Sequence, residues 1–150
     1  MNVPALGELT PDPDFDNFPR SRPVPIPLFG NQALPFTIFV EGQDWAVTSA
    51  IEALLHLGVA ERTILARDIF DYYLEMKEAL GEEQLGCRLH SPDQVWSHVS
   101  FREIFVYNEQ STIYLMVVGG CDWEIEHGLQ LVFEDGKDVV RVSGHDGHLS

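Results

Sequence analysis

Between Phe101 and Val142 the apolar residues recur at every second position, broken only by short polar or glycine-bearing segments. Side chains alternate across a strand with a period of two, so this pattern predicts consecutive strands with one face buried. Phe101 to Tyr107 reads as one strand, with Ile104 and Val106 on the same face. Asn108 to Ser111 supplies a turn, and Thr112 to Val118 returns with Ile113, Leu115 and Val117 inward. Placing Tyr107 opposite Thr112 sets Ile104 against Leu115 and Val106 against Ile113, so the apolar faces agree. Tyr114, Met116 and Val118 make the other face apolar as well, which predicts an interior strand.

Gly119-Gly120 predicts a bulge or a close backbone approach. Beyond it the alternation resumes, with Cys121, Trp123 and Ile125 on one face and Asp122, Glu124 and Glu126 on the other. Gly128 then reads as a turn. Leu129, Leu131 and Phe133 form the inward face of the next strand, Asp135-Gly136 is a hairpin signal, and Val140 and Val142 face inward on the last strand. A two-residue turn at Asp135-Gly136 pairs Leu131 with Val140, and a four-residue loop shifts that pairing by two. Either register brings Glu126 and His127 beside Gly144 and His145. Glu124, Glu126, His127, His145, Asp146 and His148 are therefore expected to gather at one end of the sheet.

Upstream, five prolines and several aspartates in residues 1–23 predict an extended, partly mobile arm that Phe15 and Phe18 pin to the body. Residues 24–150 are expected to form a single domain, as the length of 150 residues allows. Val24–Phe29 and Phe36–Val40 are strand-like and separated by turn chemistry at Gly30-Asn31. Pro25 and Pro27 restrict the first run to an edge. Asp44 is placed as the cap of a helix carrying Val47, Ile51, Leu54 and Leu55, ended by Gly58. A second helix over Ala60–Leu80 carries a stripe of Leu65, Ile69, Tyr72, Tyr73, Met76 and Leu80. The short joint predicts an antiparallel helical hairpin. The expected fold is α+β: a mainly antiparallel sheet of five to six strands with the helical hairpin on one face.

Nine basic residues against 24 acidic ones give a net charge of −15. Such a surface repels nucleic acid and anionic membrane, and it suits solubility or a basic protein partner. No run approaches the ~20 apolar residues of a membrane span. Met1 to Asp16 has neither the basic nor the apolar region of a signal peptide, so the chain is expected to be cytoplasmic, with Cys87 and Cys121 reduced.

Three chemistries compete at the corner of the sheet. In a structural reading, Trp123 packs, the His127-Gly128 turn closes and the acids face water. In a metal reading, Glu126, His127 and His145 hold a divalent ion, as in a metal-binding protein or metal-dependent hydrolase. In the third, Cys121 is a nucleophile served by His127, which it reaches only across a turn; the remaining reading is a recognition surface, in which the exposed acids and histidines of the corner contact a partner. Cys87 and His90 lie three apart but have no second pair at zinc spacing. No phosphate-binding loop, dinucleotide fingerprint, Gly-x-Ser-x-Gly or His-Glu-x-x-His occurs, which argues against the common enzyme classes. No cofactor is expected beyond such an ion.

The set Cys121-x-Trp123-Glu124-x-Glu126-His127-Gly128, followed by Asp135-Gly136, Val142-Ser143-Gly144 and Asp146-Gly147, resembles a bacterial family of domains of unknown function whose C-terminal half reads Cys-x-Trp-x-x-Glu-His-Gly. Leu28-Phe29-Gly30 before the helices and Tyr72-Tyr73 on the second helix extend the likeness over most of residues 24–148. His145, His148 and the Pro-rich segment lie outside that pattern. Some members resemble immunity proteins that neutralise toxins in interbacterial competition. The resemblance implies an immunity-like or inhibitor-like interaction module, and it brings no catalytic residues with it.

Overall fold

The computed structural model describes residues 1–149. In chain order its strands and α-helices are β1 (Leu9–Asp12), β2 (Phe18–Ser21), β3 (Val24–Ile26), β4 (Gln32–Leu34), β5 (Phe36–Ile38), α1 (Asp44–Leu55), α2 (Val59–Leu80), β6 (Val99–Glu109), β7 (Thr112–Cys121), β8 (Glu124–Glu134) and β9 (Asp138–Ser143). The period-two stretch is β6 to β9, four consecutive antiparallel strands. They extend a seven-stranded sheet of order β1-β2-β5-β6-β7-β8-β9, while β3 and β4 pair separately. This exceeds the five to six strands expected. One pair, β5 with β6, is parallel, because the chain between them crosses over through both helices.

The additional strands come from the segment expected to be an arm. It is extended, as its prolines require, but it belongs to the sheet: β1 and β2 form the outer pair, with Pro11 opposite Pro19. β1 is the sheet's edge, where Pro11 is tolerated, and Pro19 lies on β2 outside its single pairing with β5, Arg20 opposite Thr37. Val3 and Leu6 are buried in the main core, and Phe15 and Phe18 pack their rings on Phe39, at 5.9 and 5.2 Å between centroids.

The main core lies on the face covered by the helices. There α1 contributes Val47, Ala50, Ile51 and Leu54, and α2 contributes Leu65, Ala66, Ile69, Tyr72 and Tyr73. Against them lie Ile104, Val106, Ile113, Leu115, Val117, Leu129, Leu131 and Phe133. The helices do not form the antiparallel hairpin expected. α1 lies on β7, whereas α2 lies against β9 and the short 3₁₀ turn of Pro92–Ser97. The cap of α1 is Gln43 in left-handed geometry rather than Asp44, whose carboxylate instead accepts the Asn2 N–H at 2.9 Å. The second face of the sheet carries Phe105, Met116, Val118 and Val132, all buried without a helical layer.

From Glu103 to Glu109 the β6–β7 register differs from expectation by two residues, which preserves the faces. Gln110 and Ser111, both at positive φ, make a two-residue turn, so Tyr107 opposes Tyr114 and Ile104 opposes Val117. The β8–β9 loop has three residues, Asp135 to Lys137, and a bulge beside Phe133 restores Leu131 opposite Val142. That bulge turns Val140 outward, where it is exposed rather than inward-facing.

Candidate functional site

The strand expected to run through Cys121 to Glu126 instead reverses at Asp122-Trp123, and Cys121 pairs with Glu124 across the turn. Gly119 makes this reversal feasible at its base. A Cβ there would sit 1.9 Å from the Ser100 carbonyl oxygen, so only glycine lets β6 and β7 approach. The turn is also held from outside. Asp122 donates its N–H to the His98 carbonyl at 2.9 Å, and its carboxylate meets His98 Nδ1 at 3.0 Å. Gly86 donates its N–H to the Trp123 carbonyl at 3.3 Å.

Trp123 is wholly buried beneath α2, edge-on to Tyr72 and Tyr73 at 6.1 and 5.7 Å between centroids. Its indole N–H is the one buried side-chain polar atom without a hydrogen-bond partner among the described residues. Tyr73 accepts the Leu89 N–H at 3.1 Å, and Tyr72 donates to the Gly128 carbonyl at 3.4 Å. Burial, then the nearby Cys121, Glu124 and Glu75, raise the Tyr72 pKa well above the ordinary phenol value. Burial likewise pushes the Cys121 thiol up to about 12, and it donates to the Glu124 carbonyl at 3.4 Å. A thiol so placed is protonated at neutral pH and does not serve as the nucleophile considered from sequence.

After the turn, residues 125–128 bulge outward before Leu129 rejoins Gly119. Glu124 organises this bulge. Its side chain is only 8% exposed; Oε1 accepts the Glu126 N–H at 3.2 Å, and Oε2 accepts the His127 N–H at 2.7 Å. His127 Nδ1 lies 3.0 Å from Oε2. Gly128, at φ +69°, closes the bulge. The expected faces are thereby exchanged: Glu124 turns inward, and Ile125 stands 83% exposed.

The expected convergence of the two ends does occur at the backbone, where His145 donates its N–H to the His127 carbonyl at 2.7 Å. Between this junction and α2 runs a groove of about 410 Å³. Tyr72, Met76 and Leu80 give it an apolar wall, and Glu75, Glu124, His127, His145 and Asp146 supply its polar groups. Across Leu80 and Glu124 it adjoins a second depression that includes Trp123, Ile125, Asp122 and Glu126. No lysine or arginine lines either one.

Of the six corner residues, Glu124, Glu126 and His127 come together with potential ligand atoms within 4.8 Å of one another. His145 is outside that trio. Asp146 reaches the groove's rim, but its carboxylate bonds Arg141 and Gln130, and His148 contributes main-chain contacts on the other face of the sheet. The α2 residues of the groove were not expected as site residues. Their signal was the stripe itself, which runs through Met76 at the margin of the core and on to Leu80, 47% exposed.

Fold and site together define an α+β domain in which a mostly antiparallel sheet carries helices on one face and a groove at one end. No helix among the described residues is long and apolar enough to cross a membrane. The chain belongs to a family of domains of unknown function, DUF6985, whose model matches residues 5–149. The match includes most of the Pro-rich segment, in keeping with its place in the sheet. No curated protein and no solved structure matches the chain significantly.

Proposed function

We propose that this chain is a protein-interaction module that takes a basic partner in the groove between α2 and the β7–β8 turn, an immunity-like or inhibitor-like role being the finer form of the reading. The supporting observation is the groove's makeup: an apolar wall of Tyr72, Met76 and Leu80, acids around it, and no cation in its lining. Buried apolar anchors ringed by polar groups are how interfaces concentrate affinity. The net charge of −15 adds attraction that accelerates encounter with a basic surface. Glu75 and Glu126 are exposed, so Glu75→Lys/Glu126→Lys reverses the rim without touching the core. Capture from host lysate is expected to retain a basic protein on the wild-type chain at low salt. That protein is released by raised salt, which shortens electrostatic reach, and does not bind the reversed variant. A protein retained equally by both chains, or indifferent to salt, overturns the reading.

A second reading has a divalent ion at Glu124, Glu126 and His127, and the clustering of their ligand atoms favours it. The ion would compete with the two backbone N–H groups that Glu124 already accepts. In this reading zinc raises the Tm of the wild-type chain and not that of His127→Ala. Identical melts of the wild-type chain with zinc and with chelator contradict it.

A further inference from the structure

Gln130 is wholly buried on the second face of the sheet, opposite Val118 on β7 and Ser143 on β9. A buried amide must have its hydrogen bonds satisfied, and every side-chain bond of Gln130 goes to residues 146–148. Its Nε2 donates to Asp146 Oδ1 at 3.1 Å and to the His148 carbonyl at 2.8 Å, while Oε1 accepts the Gly147 N–H at 3.1 Å. Beside it, Arg141 pairs with the second Asp146 oxygen. Leu149 packs on the cluster formed by Phe105, Met116, Val118 and Val132.

Two of these contacts, to the Gly147 N–H and the His148 carbonyl, read main chain rather than side chain. A buried side-chain amide that pairs with main-chain groups, beside an apolar contact, fixes the path of a segment with little regard to its side chains. Yet the segment is held lightly. Strand pairing ends at Ser143, and residues 145–148 are all exposed, although Gln130 beneath them is sealed from water. A segment outside the strand ladder, held through side chains and exposed to water, opens more readily than the sheet it covers.

We propose that residues 145–149 are the chain's own occupant of a peptide-binding site built on Gln130 and Arg141. The site accepts in trans a partner segment of the same chemistry and the same turn, in which Gly147 stands at φ +80° and the His148 N–H donates to Asp146 Oδ1 at 2.9 Å. That segment brings a carboxylate for Arg141, a following glycine, a main-chain carbonyl for Gln130 and an apolar side chain for the Met116–Val118–Val132 surface. The cis segment is then a built-in competitor, and access to the site is set by its release.

The test uses the full chain and Asp146→Ala, which weakens the covering segment and leaves Gln130 and Arg141 in place. The probe is a fluorescent, end-blocked peptide Gly-His-Asp-Gly-His-Leu, with a scrambled peptide beside it. Asp146→Ala is expected to speed exchange of the Gly147 amide and to tighten peptide binding at least tenfold. Adding Arg141→Ala to that variant is expected to abolish the gain. A Gly147 amide as protected in the variant as in the wild type overturns the proposal. So does a released segment with no gain in binding, or equal binding of the scrambled peptide. A wild-type chain that dimerises by exchanging residues 145–149 assigns the site to self-assembly and overturns a separate partner.

Discussion

Cys121 is held as a neutral thiol, and that fact has a pH signature. Burial is the largest cause, and the acids around the turn add to it; the thiol's folded pKa rises to about 12 from an ordinary value of 9.0. A group whose folded pKa is raised contributes stability that is complete below its unfolded pKa and lost as pH climbs through the folded one. Stability is therefore expected to fall from about pH 9 upward, and Tyr72, raised by burial and the same neighbours, acts in the same direction. In Cys121→Ala the fall in Tm with alkaline pH is expected to be shallower; a variant with an unchanged slope contradicts this. Glu124 shows what single residues conceal. Alternation places it outward with Glu126, and Asp122 followed by Trp123 lacks the glycine that marks a tight hairpin turn, so the reversal is masked by the alternation. The hydrogen bonds from the Glu126 and His127 N–H groups, with His127 Nδ1 beside them, account for a carboxylate turned inward next to an exposed isoleucine.

At the scale of elements, the period-two stretch was legible because each strand buries one apolar face, and a register error of two residues leaves that face intact. The errors themselves trace to turns. Gln110-Ser111 adopts two positive φ values, a geometry that Asn-Gly would have announced and this pair does not. The bulge that exposes Val140 has no compositional marker at all. The helices were readable from their stripes, but a stripe does not name its partner. α1 and α2 each found the sheet rather than each other. The same limit hid the groove, since Met76 and Leu80 continue the apolar pattern of α2, Met76 half-buried at the margin of the core and Leu80 beyond it. The Pro-rich segment failed for the opposite reason. Its prolines reported the local backbone correctly, but burial of Val3 and Leu6 depends on contacts that are distant in sequence.

For the whole molecule, the Cys-x-Trp-x-x-Glu-His-Gly segment does two jobs. Cys121, Trp123, Glu124 and Gly128 fix the turn and its bulge beneath Tyr72 and Tyr73. Ile125, Glu126 and His127 are thereby presented at the groove. The distinctive residues that attract a catalytic reading are thus mostly the ones that hold the corner together, and their exposed neighbours, with α2, form the surface available to a partner. Thermal melts of Glu124→Gln and Glu126→Gln, run side by side, test this division most directly. Replacing a buried acceptor of two backbone N–H groups is expected to cost about 1–3 kcal/mol, or roughly 3 °C or more in a chain of this size. Glu126, exposed and accepting none of the bonds that hold the bulge, is expected to leave Tm within about 1 °C of the wild type, as surface substitutions do. Equal melts for both variants, or a larger loss from Glu126→Gln, would contradict the account.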